Sequence, residues 1–263
     1  MARAKRHYFP GQIWHLTHRC HKKEFLLKFA KDKRRLLQWL FEARRRYGLT
    51  ILNYVITSNH IHLLVADDGK RGTIAKSIHL VAGRCAQEYN ERKKRKGAFW
   101  EDRYHATAVQ TGDHLLRCLV YIDLNMVRAE VVDHPSEWPF GGYKEIQSPR
   151  RKCKLIAYEK LASLAGHQTY ESFRQSHKDS VEISLSEDSH DRQSHWTQSI
   201  AVGTERFVED IKSMLGRKAI GRRVRKITSG FELREETNFY NAIFKPEKSD
   251  IDPDNTYKWA SFY

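Results

Sequence analysis

Apolar and polar residues alternate over residues 12–20 (Gln-Ile-Trp-His-Leu-Thr-His-Arg-Cys), a period of two that predicts a β-strand. The period turns helical over residues 31–47. There Leu36, Leu37, Leu40 and Phe41 share a face, and Gly48 supplies a C-terminal stop. Residues 49–59 and 60–67 are rich in β-branched and aliphatic side chains and read as two adjacent strands, tightly connected at 58–59. Residues 74–92 are helical again, with Ile74, Ile78, Val81, Cys85 and Tyr89 on one face. Residues 98–110 are strand-like through Phe99, Trp100, Tyr104, Ala106 and Ala108. A third helix covers residues 113–129, with Leu115, Leu119, Ile122 and Met126 toward the core. The order βαββαβα predicts one antiparallel-containing sheet with helices packed on it, a ferredoxin-like α+β layer.

Residues 138–143 (Trp-Pro-Phe-Gly-Gly-Tyr) read as a closing turn, and residues 148–154 (Ser-Pro-Arg-Arg-Lys-Cys-Lys) as a boundary. The chain divides accordingly into a first unit, 1–147, and a basic extension, 148–244. The extension reads as helical over 155–165, 169–177 and 203–215, with the polar, acidic stretch 180–194 as a surface loop. Residues 245–263, charged and proline-containing, predict a mobile tail.

Two features carry chemistry. His60 and His62 lie two apart in a strand and share a face, while Ile61 points into the core. Two such imidazoles can grip a divalent cation, or they can be a hydrogen-bonded pair at the edge of the core. In the third helix Arg117, Tyr121, Asn125 and Arg128 recur at positions that form one polar stripe. A phenol, a carboxamide and flanking guanidiniums suit phosphate chemistry: Tyr as nucleophile, Asn as a ligand oxygen, Arg as a phosphate clamp. The alternative is a tyrosine at the core edge beside a solvated face.

Composition narrows the partner. Of 263 residues 40% are hydrophobic, enough for a proper core, and 47 Lys+Arg against 32 Asp+Glu leave a formal charge of +15. That excess favours a polyanion, nucleic acid before an anionic membrane surface. Basic runs offer a phosphate track: residues 31–35, 44–46 and 150–154, then Arg92, Lys93, Lys94, Arg95 and Lys96, and finally Arg217, Lys218, Arg222, Arg223, Arg225 and Lys226. No apolar stretch approaches the ~18 residues of a membrane span. The basic N-terminus leads into no apolar signal core, so a cytoplasmic, nucleoid-associated protein is expected. The four cysteines form no Cys-x-x-Cys pair, which argues against a zinc ribbon and suits a reducing compartment. No phosphate-binding loop of the Walker type occurs, so no nucleotide cofactor is expected.

Five segments in order carry a family likeness: Trp14-His15-Leu16-Thr17-His18-Arg19, Ser58-Asn59-His60-Ile61-His62-Leu63-Leu64, Gly97 to Tyr104, Tyr121 to Ala129, and Trp138-Pro139-Phe140. Over residues 8–145 the chain resembles the single-tyrosine HUH transposases, nearest the REP-associated tyrosine transposases, and residues 203–216 resemble a helical extension found in part of that branch. The resemblance implies a ferredoxin-like HUH endonuclease fold, with His60 and His62 holding Mg²⁺ or Mn²⁺ and Asn125 as a third ligand or near neighbour. It implies Tyr121 as the nucleophile, which leaves a 5′-phosphotyrosine and a free 3′-OH on cutting single-stranded or hairpin DNA. The same fold could instead bind hairpin DNA or RNA without cutting, and either a monomer or a homodimer could assemble the site. Three positions depart from the family pattern: Ser58 and Met126 stand where proline is usual, and Glu130 where glycine is usual.

Overall fold

The computed structural model describes residues 7–187 and 193–235. The tail expected at 245–263 lies outside the described residues, as does the end of the extension, 236–244.

The first strand, β1 (Ile13–Arg19), sits in the interior of the sheet. Helix α1 (Ala30–Tyr47) stops where Gly48 takes φ +73° and returns its N–H to the Arg44 carbonyl. Strands β2 (Thr50–Ile56) and β3 (His60–Ala66) form a hairpin around Thr57. The Thr57 hydroxyl donates to the His60 carbonyl and accepts from the backbone N–H groups of Asn59 and His60. Helix α2 (Thr73–Arg92) and strand β4 (His105–Val109) complete a βαββαβ unit. Its strands lie in the order β2-β3-β1-β4 with every neighbour antiparallel, which is the ferredoxin-like α+β arrangement predicted from the apolar pattern.

Nearly all of β2 and β3 is buried, so both faces of the sheet are covered. On the face of Ile61, its strand neighbour His18 stacks on Trp100 (4.1 Å), which donates Nε1 to the Ala82 carbonyl in α2. On the face of His60 and His62 lies helix α3 (Asp113–Asp123), whose Leu115, Leu119 and Ile122 are fully buried.

Three expectations need correction. The strand over 98–110 is regular only in β4. Phe99 and Trp100 anchor the preceding segment by ring packing against Tyr89 and His18, and the exposed Glu101-Asp102-Arg103 turn separates them from the ladder. The third helix ends at Asp123 rather than residue 129. Beyond it the chain runs in turns, with Asn125 N–H on the Ile122 carbonyl and Glu130 at φ +53°. Arg117, Tyr121, Asn125 and Arg128 therefore do not form one helical stripe. The segment expected as a loop at 180–194 is helical as far as Ser186.

The extension carries the expected helices and adds strands. After the short helix α4 (Tyr143–Gln147) come α5 (Tyr158–Leu164), α6 (Tyr170–Ser186), α7 (His195–Gln198) and α8 (Glu205–Leu215). Strand β5 (Ala201–Gly203) runs parallel to β4, and the hairpin of β6 (Arg222–Ile227) and β7 (Gly230–Glu235) completes a seven-stranded sheet. In β5 three residues are too few for a periodic signal, and in β6 (Arg-Arg-Val-Arg-Lys-Ile) four basic side chains interrupt the alternation that marks a strand. The segment 150–153 is exposed, yet the core continues across it: Leu155, Phe173, Trp196 and Val202 join the cluster of β1–β4. No helix among the described residues is long and apolar enough to cross a membrane.

Candidate active site

The alternation of β3 directs His60 and His62 to the α3 face, their ring centroids 4.9 Å apart and the rings at 72°. Each imidazole is held through Nδ1. His60 Nδ1 lies 2.7 Å from the Asn59 side-chain oxygen and 2.9 Å from the Thr57 hydroxyl. His62 Nδ1 lies 2.9 Å from Nε2 of His15, one strand away. An imidazole with its proton on Nδ1 presents a lone pair at Nε2, the form a metal requires. His62 Nε2 faces the Asn125 amide nitrogen at 3.2 Å.

Tyr121 completes the group. Its ring centroid is 6.0 Å from that of His62 and 6.1 Å from that of His15, both edge-on. Tyr121 is buried in the last turn of α3, while Asn125 follows in the turns beyond. Arg128 folds back over Tyr121, its guanidinium carbon 4.2 Å from the ring centre. Burial lowers the Arg128 pKa, offset in part by Tyr121.

These residues line one cleft of about 530 Å³, with Arg19, Glu101 and Arg103 among its other walls. One chain supplies every group. Two imidazole nitrogens and an amide whose oxygen and nitrogen exchange places by a half-turn form a donor set that could hold a divalent cation. Among the described residues no cluster of three or more His, Cys, Asp or Glu side chains offers a richer site.

The remaining sequence candidates lie elsewhere. Arg117 is exposed and donates to the Ser229 carbonyl at the β6–β7 turn. Arg92 pairs with Asp32 (2.5 Å), and Arg95 donates to the Ala98 carbonyl. Both are thus engaged in structure, whereas Lys93, Lys94 and Lys96 are exposed. Arg217, Lys218, Arg223, Arg225 and Lys226 are exposed too, and Arg222 is half-buried beside Glu235. None of these lines the cleft.

Two participants escaped the sequence. His15, fully buried, touches His62, and burial pushes its pKa down to about 3 despite the opposing hydrogen bond to the Trp196 carbonyl. The strand register that pairs His15 with Leu64 would have revealed it, because it puts His15 on the face of His62. Trp196 comes from the extension, where nothing local marked it.

Residues 10–125 match the sequence model of the family described as transposase, IS200 like. The matched segment contains β1 to α3 and ends at Asn125. Among solved structures, one described as a REP-associated tyrosine transposase bound to a REP hairpin aligns at 18% identity and TM-score 0.46, over 57% of this chain and 87% of that chain. A putative transposase from Deinococcus radiodurans R1 aligns at 16% identity and TM-score 0.32, over 43% of this chain and 88% of that chain. No curated protein matches the chain.

Proposed function

We propose that this protein cuts and rejoins single-stranded, hairpin-forming DNA through a covalent link to Tyr121. The observation that carries the reading is the convergence of Tyr121, His60, His62 and Asn125 on one cleft, in the segment that matches the IS200-like transposase model.

The phenol oxygen of Tyr121 forms a bond to phosphorus as the P–O3′ bond breaks. The phenolic proton is released and the departing 3′ oxygen takes one up. The products are a 5′-phosphotyrosine and a free 3′-OH, and attack by a 3′-OH on the same linkage rejoins the strand. The exchange conserves the phosphodiester bond energy, so no nucleotide is consumed. Arg128 holds the Tyr121 ring and places positive charge beside the phenolate that develops. Arg19 and Arg103 give the cleft walls a charge that suits the approaching backbone. A divalent cation held by His60, His62 and the Asn125 amide oxygen would draw charge from the scissile phosphate. Because Tyr121 is only 5% exposed, the phosphodiester must come to it. An extruded single strand can do so more readily than a paired one.

Labelling a hairpin oligonucleotide separately at each end tests the polarity. With Mg²⁺ or Mn²⁺, the protein should remain with the strand that carries the new 5′ phosphate, and the other fragment should be extendable by a polymerase. Binding with neither product would favour a non-cutting hairpin binder.

A further inference from the structure

The extension reaches the proposed metal ligand through a directed chain of hydrogen bonds. His15 Nδ1 lies 2.8 Å from the Trp196 carbonyl, and His15 Nε2 lies 2.9 Å from His62 Nδ1. A carbonyl only accepts, so His15 carries its proton on Nδ1. His15 is 0% exposed, out of reach of the water that would solvate a charged ring, and a neutral ring with its proton on Nδ1 accepts at Nε2. His62 must then donate from Nδ1, which leaves the lone pair on Nε2. Every step has one direction, and the direction is set at Trp196. The Thr107 hydroxyl in β4 lies between the carbonyls of Trp196 (3.2 Å) and Ser199 (2.7 Å) and has one proton to give, to the nearer Ser199.

We infer that His15 is a positioning residue which, oriented by the Trp196 carbonyl, locks His62 in the tautomer that can bind a divalent cation. The extension thereby supports His62 from behind, while its Thr197 and Gln198 line the cleft itself. The inference rests on the proposed role of His62 as ligand, and it assigns to α7 a function beyond packing. Without His15, His62 could hold its proton on either nitrogen, and the fraction with Nε2 protonated could not ligate.

The test uses the full chain and two readouts. Long-range ¹⁵N–¹H correlation spectra of the metal-free protein report the His62 tautomer, and titration with Mn²⁺ alone reports affinity. The unsubstituted protein should show His62 protonated on Nδ1. His15→Phe, similar in shape but without nitrogens, should give mixed tautomers and roughly 10- to 100-fold weaker Mn²⁺ binding. His15→Gln offers an amide oxygen to His62 and an amide N–H to the carbonyl, and should restore most of the affinity. A His62 protonated on Nε2 in the unsubstituted protein overturns the inference, whatever the fate of the His15 variants on folding. So does Mn²⁺ binding that His15→Phe leaves unchanged. If the tautomer is as stated but no Mn²⁺ binds, the ligand role of His62 fails, and the positioning claim with it. If Mn²⁺ binds as stated but no DNA is cut, only the proposed reaction fails.

Discussion

The guanidinium of Arg128 lies over the ring of Tyr121 and also donates to the Tyr121 carbonyl (2.6 Å), so one side chain fixes both the ring and the backbone beneath it. Lysine can supply the charge but neither the planar stack nor the fork. Arg128→Lys is expected to slow formation of the covalent DNA adduct about tenfold, a loss of roughly 1.4 kcal/mol in the transition state. Single-turnover rates, with the thermal midpoint of the same preparation as control, provide the check. An unchanged rate would remove Arg128 from the account.

The edge strand β6 presents Arg223, Arg225 and Lys226 to solvent. Because β6 pairs along its whole length with β7, deleting it would break the sheet, and side-chain replacement is the cleaner probe. The triple change to alanine is expected to weaken single-strand binding. It should also flatten the dependence of log K on log salt by about 0.7 for each phosphate that these side chains neutralise. An identical slope in fluorescence-anisotropy titrations would show that this strand carries no phosphate track.

Burial lowers the pKa of His105, His114 and His195 below the usual imidazole value. Each folded-state imidazole binds a proton less readily than its unfolded counterpart. Between the lowered folded value and about 6.5, the unfolded chain therefore holds more protons, and stability rises with pH. Their contribution is complete above about pH 6.5 and is lost as the pH falls below it. Each group contributes at most about 1.4 kcal/mol per pH unit. Urea unfolding at pH 7.5, 6.0 and 5.0 should show the decline, and His105→Gln, which keeps a donor for the Ser199 carbonyl, should make it shallower. A flat profile would mean these rings take up protons in the folded protein as readily as in the unfolded chain.

Residues 1–147 lack Phe173 and Trp196, both fully buried against the first unit, and they leave β4 without its neighbour β5. Losing one such aromatic costs about 3–5 kcal/mol, a large part of a domain's stability. The isolated fragment is expected to show no cooperative thermal transition by circular dichroism. A sharp transition would establish the first unit as an independent domain.

Where periodicity was strong, the fold could be read directly. The alternation of β1, the paired runs of β2 and β3 and the glycine at the end of α1 pointed to the ferredoxin-like order, and the strand rule placed His60 and His62 on one face. The end of α3 could not be read that way. Leu124, Met126 and Val127 sustain an apolar pattern through turns, where Glu130 takes a positive φ better suited to glycine. Tertiary packing decides that break, and it brings Arg128 back over Tyr121. Nor could the apolar pattern reveal the buried link of Asp123 to His177 (2.8 Å) and Asn53 (3.0 Å), which ties α3 to α6 and β2. Polar partners that lie 54 and 70 residues apart leave no local signature. His15 was hidden likewise, because its meaning depends on a cross-strand register and on a carbonyl at residue 196.

Tyr121 as the nucleophile is the centre of this account, and one measurement addresses it most directly. The protein is incubated with a fluorescent single-stranded hairpin and Mg²⁺ or Mn²⁺, denatured in SDS, and the shifted band is digested and sequenced by mass spectrometry. The account expects a metal-dependent adduct on the peptide that contains Tyr121, absent from Tyr121→Phe although that variant still binds the hairpin. An adduct on Tyr89 or Tyr104, or strand cutting that persists in Tyr121→Phe, would contradict it.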